Sequence, residues 1–285
     1  MKKIDAGPSK TGEMEARVYS KPGGARPVFC LTVVVLALCA YFLLRRGHTT
    51  VLVEGVVYEI RNPRDVIEKT LLEGRAWSPG IVRLLAARMR PNAHFVNVGA
   101  HIGTMCIPLA KVAAYVTAFE PFPKTFDHLR RNVELNALTN VSLHNAALGD
   151  KHERVFFLSD SSERIKENSG GMHVLTADDV RSGARSAALA RADDTGVPCV
   201  TLDSMDLPPI DAMLVDVEGM EDKLLAGARR TLQRDLPLLL IEIWGDAKRA
   251  EENMRTTQRE VIDSIVRLGY TSVESVGSDD FLFSV

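Results

Sequence analysis

The segment at residues 95–103, FVNVGAHIG, decides the fold. An apolar run ends in Gly99, and Gly103 follows four residues later. Glycine permits a tight turn and a close approach of the backbone to a ligand or to another element. A helix that begins after such a turn offers free backbone N–H groups to a carboxylate or phosphate. The segment therefore predicts a strand, a turn near a ligand and the start of a helix.

Strand and helix patterns alternate from residue 93 onwards. Apolar strands are predicted at residues 94–98, 115–119, 141–146, 211–215 and 238–243, and a final β pair at 271–276 and 280–285. Helices are predicted at residues 104–113, 123–136, 220–234 and 251–268. Alternating strands and helices predict an α/β fold with a parallel sheet covered on both faces. Ligands of such sheets bind beyond the carboxyl ends of the strands. Residues 159–198, rich in Ser, Asp, Arg and Ala, interrupt the alternation.

A carboxylate follows the second predicted strand. Glu120 stands about 20 residues after Gly99, the spacing at which an acidic residue accepts hydrogen bonds from a ribose diol in nucleotide-binding sheets. The alternative is a solvated Glu that caps the following helix. The GxxxG spacing differs from the GxGxxG of dinucleotide binders. This pattern favours S-adenosylmethionine over NAD as the cofactor.

Five motifs then occur in order, namely FVNVGAHIGTMCIPLA, VTAFEPFPKTFDHLRRNVELN, NAALGD, VTLDSM and MLVDVEGMEDKLLAGA. Through them, residues 92–285 resemble the FkbM family of S-adenosylmethionine-dependent methyltransferases. The resemblance implies a class I methyltransferase fold, which is Rossmann-like, with a seven-stranded and mostly parallel sheet. It also implies O-methylation of a hydroxyl on a small molecule or sugar.

The resemblance implies a cofactor-binding set at successive strand ends. The methionine end of S-adenosylmethionine would contact Asn97, Gly99, Ala100 and Gly103, and the ribose would contact Glu120. The adenine would contact Asn145, Ala146, Ala147, Leu148 and Asp150. Asp216, Glu218 and Gly219 would face the methyl group and the acceptor, with Asp216 also bordering the cofactor.

Asp216 and Glu218 are the predicted catalytic residues. Alternate positions of a strand share a face, so both side chains can point into one site. A hydroxyl acceptor needs a base, and two neighbouring carboxylates raise one pKa towards neutrality. Alternatively, Asp216 orients the cofactor and Glu218 caps the next helix. No metal is predicted, because no clear third ligand accompanies the pair. Glu242 and Trp244 could form a wall of the acceptor site or be structural.

Two departures from the family pattern leave alternatives open. Asn97 stands where the family commonly has Asp, and Leu214 stands where it often has Lys. A catalytically silent protein that binds S-adenosylmethionine or acts as a scaffold is therefore one alternative. An N-methyltransferase acting on a protein or amine is another. A nucleotide-dependent oxidoreductase is disfavoured by the absence of GxGxxG.

Residues 28–44, VFCLTVVVLALCAYFLL, are uncharged and predict a single-pass transmembrane anchor. We predict a disordered tail at 1–27 before the anchor, a juxtamembrane region of strands and helices at 45–91 and the methyltransferase domain at 92–285. A cleaved signal peptide and a soluble helix are the alternatives. Basic residues balance on both sides of the run, so the positive-inside rule gives no orientation. Because S-adenosylmethionine is made in the cytosol, we expect a cytoplasmic catalytic domain.

The composition limits the partners. A formal net charge of -2 does not favour nucleic acid as a partner. The expected partners are a small-molecule, glycan or lipid methyl acceptor and, through residues 28–44, the membrane. The four cysteines show no CxxC and no zinc spacing, which indicates buried thiols in a reducing compartment. The oligomeric state is not predicted.

Overall fold

The computed structural model describes residues 49–157, 174–175, 196–252 and 254–285, and these belong to one compact unit. The predicted tail at 1–27, the predicted anchor at 28–44 and most of the interruption at 159–198 lie outside these ranges. Within them, none of the helices combines the length and apolar character needed to cross a membrane.

The described part of the chain alternates between strands and helices. In chain order the elements are β1 (Thr49–Val53), β2 (Val56–Ile60), α1 (Val66–Leu72), α2 (Pro79–Arg88), β3 (His94–Val98), α3 (Cys106–Ala110), β4 (Tyr115–Phe119), α4 (Pro123–Leu135), β5 (Val141–His144), β6 (Ala147–Leu148), β7 (Glu153–Phe157), β8 (Val174–Leu175), β9 (Val197–Val200), a 3-10 turn (Leu202–Ser204), β10 (Ala212–Val215), α5 (Glu221–Gly227), α6 (Arg229–Asp235), β11 (Leu238–Glu242), α7 (Asp246–Glu251), α8 (Gln258–Val266), β12 (Ser272–Ser275) and β13 (Asp280–Ser284).

A seven-stranded sheet forms the centre, with strand order β12-β13-β11-β10-β3-β4-β5. The pairs β11–β10, β10–β3, β3–β4 and β4–β5 are parallel. Strand β13 is antiparallel to both of its neighbours, so it alone runs against the other six. The predicted seven-stranded, mostly parallel sheet is confirmed. The chain leaves β3 towards β4 on one side, while β10 lies on the other, so β3 and β10 border the point where the strand order reverses.

Helices cover both faces of the sheet, as predicted. One buried apolar cluster joins one face to helices α1 to α4, with Leu71, Leu85 and Leu129 among its members. A second cluster joins the other face to α5, α6 and α8, and includes Leu224 and Leu232. Burial of apolar surface on both faces explains why the central strands are nearly continuous hydrophobic runs.

Two asparagines, one in α4 and one at its C-cap, attach the β1–β2 hairpin to the domain. The Asn136 side chain accepts from the Val57 N–H at 3.0 Å and donates to the Val57 carbonyl at 2.7 Å. The Asn132 side chain accepts from the Glu59 N–H at 2.8 Å and donates to the Ile102 carbonyl at 2.8 Å. These amides satisfy backbone groups of β2 as a neighbouring strand would. Asn132 thereby also connects the hairpin to the turn that follows β3.

Two predicted helices are each divided in the structure. The helix predicted at 220–234 is interrupted after Gly227, where an added Cβ would lie 1.9 Å from the carbonyl oxygen of Gly149. The close approach of these two backbones leaves room for glycine only. The helix predicted at 251–268 begins instead at Gln258, because Thr257 and Glu260 form a capping box that starts a new helix.

Candidate cofactor and active site

A cavity of about 260 Å³ opens at the carboxyl ends of β3, β4 and β10. This is the position at which open α/β sheets bind ligands, and the volume approaches the lower end of ligand sites. The lining residues come from the turns after these strands, from the β5–β6 connection and from the segment around α1. They are Ile67, Trp77, Val98, Gly99, Ala100, His101, Thr104, Met105, Phe119, Glu120, Pro121, Phe122, Ala146, Ala147, Leu148, Phe157, Leu214, Asp216, Val217, Glu218, Met220 and Glu242.

The turn after β3 brings its backbone against the turn after β10. Gly99 has φ +81°, and a Cβ on it would lie 1.7 Å from the Asp216 carbonyl oxygen. The N–H groups of Gly99 and Ala100 both donate to the Phe119 carbonyl at 2.9 Å. Gly103 does not line the cavity, since it packs on Ile107 and Leu129 behind the turn. The predicted glycines therefore differ in role: Gly99 borders the cavity, and Gly103 allows the helix to pack.

Glu120 lies at the wall of the cavity with only 6% of its surface exposed. Its Oε2 accepts from the His101 N–H at 2.8 Å, and its Oε1 accepts from the Phe122 N–H at 2.9 Å. Each carboxylate oxygen has a further lone pair, so the group can accept two more hydrogen bonds. Burial raises the pKa of Glu120 to about 7, although the two N–H donors oppose this effect. The side chain thus fits a ligand that offers two hydroxyl donors.

Asn145, Ala146 and Ala147 follow β5, where the sequence predicts the adenine contacts. Ala146 and Ala147 line the cavity together with Phe157. Asn145 does not line it, because its side-chain amide donates to the carbonyls of Glu120 and Pro121 at 2.9 Å each. Asn145 therefore fixes the backbone that carries Glu120.

Asn97 is fully buried in the centre of β3 and lies outside the cavity lining. Neither its amide nitrogen nor its oxygen has a hydrogen-bond partner among the described residues. Its register partner on β10 is Leu214, the other departure from the family pattern. Register partners on parallel neighbours share a face of the sheet, so the two positions where the resemblance leads us to expect Asp and Lys are adjacent and buried. An unpaired charge at either place would carry a large desolvation penalty.

Three carboxylates converge on the opposite wall of the cavity. Oxygen atoms of Asp216, Glu218 and Glu242 all lie within 4.8 Å of one another. The pairing of Val215 with Ile241 explains this, because the parallel strands β10 and β11 end side by side. Three oxygen donors at this separation could hold a divalent cation, for which the sequence showed only two ligands.

Asp216 and Glu218, the two predicted bases, have different electrostatic surroundings. Burial, then the carboxylates of Glu242 and Glu218, raise the pKa of Asp216 well above its usual range, even though part of its surface is open to the cavity. Burial and Glu242 raise the pKa of Glu218 to about 7, and Lys248 opposes this with its Nζ 3.6 Å from Glu218 Oε2. With a pKa of about 7, Glu218 is partly ionised at neutral pH.

Some lining residues have a position or a neighbour that the sequence did not predict. Glu242 is predicted either as a wall of the acceptor site or as a structural residue, and its position at the end of a strand parallel to β10 was the signal for the carboxylate cluster. Ile67 and Trp77 reach the cavity from the region at 45–91, for which the sequence pattern offers no such signal. His101 also lines the cavity, and burial lowers its pKa to about 4, so its ring is neutral at physiological pH.

A sequence model of the Methyltransferase FkbM domain matches residues 97–271, which is more than half of the chain. Among solved structures, the methyltransferase FkbM from Methylobacillus flagellatus KT is 17% identical over 70% of this chain and 45% of that one, with a TM-score of 0.46. A SAM-dependent methyltransferase from Aquifex aeolicus is 15% identical over 75% of this chain and 92% of that one, with a TM-score of 0.42. This chain thus spans less than half of the length of the Methylobacillus protein. A search of curated proteins found no match. The match to the domain shows that this chain belongs to the FkbM methyltransferase family.

Proposed function

We propose that this methyltransferase transfers a methyl group from S-adenosylmethionine to a hydroxyl of a small molecule, glycan or lipid head group. One observation supports the proposal above the others. The ribose-type carboxylate Glu120 and the carboxylate cluster Asp216, Glu218 and Glu242 border the same cavity. A single space thus has a wall suited to the donor and a wall suited to deprotonating an acceptor.

The cavity residues fit S-adenosylmethionine. Glu120 would accept from the ribose hydroxyls, and Ala146, Ala147 and Phe157 would border the adenine. Gly99 and Ala100 line the cavity, and the backbone of this turn would lie against the charged amino-acid end. The cofactor supplies an activated methyl group on a sulfonium, so the protein needs mainly to orient the acceptor and move a proton.

The acidic cluster would perform the proton transfer. A pKa of about 7 suits Glu218 to receive the proton of an acceptor hydroxyl at neutral pH. Burial and the carboxylates of Glu242 and Glu218 raise the pKa of Asp216, which would favour a proton shared within the cluster. Lys248 lies over the Trp244 ring at 3.6 Å and contacts Glu218, so it limits the accumulation of negative charge.

The decisive experiment is an acceptor screen with S-adenosylmethionine that carries a tritium-labelled methyl group. The purified full chain is incubated with membrane lipid, glycan and small-molecule fractions, and labelled products are separated and characterised. We expect label in a product whose new methyl group resists acid and base as an ether does. Binding of S-adenosylmethionine without transfer to any fraction would instead indicate a silent binder.

An amine acceptor is a second candidate, because three carboxylates within 4.8 Å can also bind an ammonium group. The same screen distinguishes the two. An N-methylated amine is cationic at neutral pH and is retained on a cation-exchange resin, whereas the methyl ether of a neutral alcohol is not.

We also propose that residues 28–44 anchor the enzyme as a single pass and leave residues 92–285 in the cytoplasm, where the donor is made. The composition of residues 28–44 and the free buried thiols of Cys106 and Cys199 among the described residues support this. Protease protection of the full chain in sealed membranes tests it. Resistance of the catalytic domain to added protease in vesicles that expose their cytoplasmic face would contradict it. The exclusion of nucleic acid as acceptor stays a prediction.

The affinity for S-adenosylmethionine should rise with pH up to about 7 and then level. Glu120 binds two hydroxyl donors best when ionised, and burial raises its pKa to about 7 in the free protein. Binding therefore releases a proton. At one pH unit below 7 the dissociation constant should be about tenfold larger than its value on the plateau at high pH. Calorimetric titration between about pH 5.5 and 8.5 measures the effect. Glu120→Gln should flatten the profile, whereas Glu218→Gln should keep it; a flat wild-type profile would contradict the ribose assignment.

Substitution of Trp77 by alanine should weaken binding of the acceptor and leave binding of S-adenosylmethionine nearly unchanged. Trp77 is half-buried and lines the cavity from the loop before α2, outside the residues that the family domain matches. Loss of a partly buried aromatic surface should raise the KM for the acceptor about tenfold. The dissociation constant for S-adenosylmethionine should change less than about twofold. Trp77→Phe serves as the matched control, since it keeps an aromatic face; an equal loss of donor affinity would place Trp77 on the donor instead.

A further inference from the structure

The turn after β10 holds Glu218 in a conformation that requires support. Glu218 has φ +47° and Gly219 has φ +92°, so two consecutive residues lie in the left-handed region. For a residue with a side chain this costs about 1 kcal/mol, and it persists where the surroundings fix it. Within the turn, the Met220 N–H donates to the Val217 carbonyl at 3.3 Å, a long hydrogen bond. Other groups must therefore hold the turn in place.

Glu221, the first residue of α5, supplies one such group. Its side chain is fully buried, and its Oε1 accepts from the Gly219 N–H at 2.8 Å. On the other side, Gly219 packs on Trp244, whose ring would lie 3.0 Å from an added Cβ. The turn is thus held between the Glu221 carboxylate and the Trp244 ring. Neither displacement nor rotation of Gly219 is possible without breaking one of these contacts.

Arg249 of α7 in turn fixes Glu221. Arg249 Nη1 lies 3.6 Å from Glu221 Oε2, and the exposed fractions of the two side chains are 1% and 0%. The other guanidinium nitrogens are held by hydrogen bonds of 2.9 Å to Asp222 and 2.8 Å to the Thr256 carbonyl. Thr256 also donates to Asp222 at 2.6 Å. Glu221 Oε2 and Arg249 Nη1 have no hydrogen-bond partner among the described residues, so these two side chains are linked by charge alone. A buried ion pair adds little net stability, but it keeps its two members together because either charge alone is costly to bury.

We infer that Glu221 and Arg249 are positioning residues for methyl transfer, because they hold the turn that presents the Glu218 carboxylate to the cavity. Neither side chain lines the cavity, so neither contacts cofactor or acceptor. Arg249 fixes the Glu221 carboxylate, and Glu221 fixes the Gly219 N–H next to Glu218. Helix α7 also carries Lys248, which contacts Glu218 directly. The inference rests on the proposed role of Glu218 as the base.

The test compares Glu221→Met with Glu221→Gln in the full chain. Methionine removes the acceptor of the Gly219 N–H, whereas glutamine keeps an acceptor oxygen and removes the charge. Glu59→Met is the matched control, since Glu59 is also a buried ion-paired carboxylate, with Oε2 2.5 Å from Arg61 Nε, but lies outside the cavity lining. Three quantities are measured: binding stoichiometry for S-adenosylmethionine, labelled methyl transfer per bound site, and amide exchange of the peptide that contains residues 216–220.

We expect Glu221→Met to lower transfer per bound site about 30-fold, since a displacement of the order of 1 Å costs up to about 100-fold. Amide exchange of the turn should rise at least about tenfold, because the Gly219 N–H loses its partner. Glu221→Gln should stay within about fivefold of the parent in transfer. Glu59→Met should lower the melting temperature and leave transfer per bound site and exchange of the turn unchanged. Parent-like transfer by Glu221→Met, or an equal loss in Glu59→Met, would show that Glu221 and Arg249 stabilise the fold but do not position Glu218.

A second variant decides the matter if Glu221→Met does not fold. Arg249→Lys keeps the charge but loses the fork that reaches Glu221, Asp222 and Thr256 together. We expect about tenfold slower transfer per bound site and faster exchange of the turn; parent values for both would overturn the inference. Glu218→Gln is measured in parallel. If that variant is fully active, the proposed base is wrong, while the exchange of residues 216–220 still reports whether Glu221 orders the turn.

Discussion

Gly99→Ala should abolish methyl transfer and weaken S-adenosylmethionine binding by at least about 100-fold. A Cβ at this position would lie 1.7 Å from the Asp216 carbonyl oxygen, whereas ordinary contacts begin at 3.4 Å. The turns after β3 and β10 would have to separate, and they carry the donor wall and the acidic cluster. A displacement of this size costs two orders of magnitude or more in rate. Calorimetric titration and the labelled-methyl assay measure the two losses.

Gly74→Ala is the matched control. Gly74 has φ +74°, close to the φ of Gly99, but a Cβ there would meet nothing within 4 Å. Both variants therefore carry the same left-handed strain, about 1 kcal/mol, and only Gly99→Ala adds the collision. We expect Gly74→Ala to lose a few degrees of melting temperature and to keep its affinity and turnover. Equal behaviour of the two variants would show that the contact between the two turns does not shape the site.

The central sheet could be predicted because its signals are local. Short apolar runs alternate with helical patterns, and turn residues follow each strand, so strand identity and direction are visible in the sequence. The attachment of the hairpin was not predictable in this way. It depends on hydrogen bonds that the side-chain oxygens of Asn132 and Asn136 accept from backbone N–H groups 73 and 79 residues away in sequence. Side-chain amides that satisfy a distant backbone leave no periodic pattern.

The candidate site was predictable where a residue directly follows a parallel strand. Gly99, Glu120 and Asp216 were predicted to share one rim, and the structure places all three around one cavity. Glu242 also follows a parallel strand, but a single Glu with no motif partner resembles a surface residue. The parallel pairing of β10 with β11 places Glu242 next to Asp216. The position of Trp77 at the cavity depends on the tertiary packing of the region before β3, which strand periodicity does not reveal. The roles of these residues stay predictions.

The strand register connects the two departures from the family pattern, since Asn97 and Leu214 are paired on neighbouring strands. Considered separately, Asn97 and Leu214 each suggest a weakened enzyme. They are register partners in the buried part of the sheet, so an Asp and a Lys at these two positions, as the resemblance leads us to expect, would be two buried charges of opposite sign. Loss of only one of them would leave an uncompensated charge, which is far more costly than losing both. The absence of both charges is therefore compatible with a stable sheet, and the silent alternative is tested by the acceptor screen.

Glu218→Gln should lower the turnover number about 1,000-fold and leave the dissociation constant for S-adenosylmethionine within about twofold, since a general base contributes a factor of 100 to 10,000. Gln has the shape of Glu but cannot take a proton from an acceptor hydroxyl. The parent turnover number should rise with pH through about 7, because Glu218 must be ionised to act and its pKa is raised to about 7. The variant should lose this rise. Steady-state rates across the pH range measure both effects.

Two further variants separate a base from a mere contact. Glu218→Asp keeps a carboxylate on a shorter side chain and should recover a large part of the turnover, together with the rise of the rate with pH. Glu274→Gln removes a carboxylate from an exposed ion pair with Arg88 and should match the parent, because exposed pairs contribute at most about 1 kcal/mol to stability. Parent-like turnover in Glu218→Gln would mean that another carboxylate of the cluster takes the proton, and Asp216 lies within 4.8 Å. The corresponding Asp216→Asn variant would then have to lose the pH-dependent limb that Glu218→Gln retained.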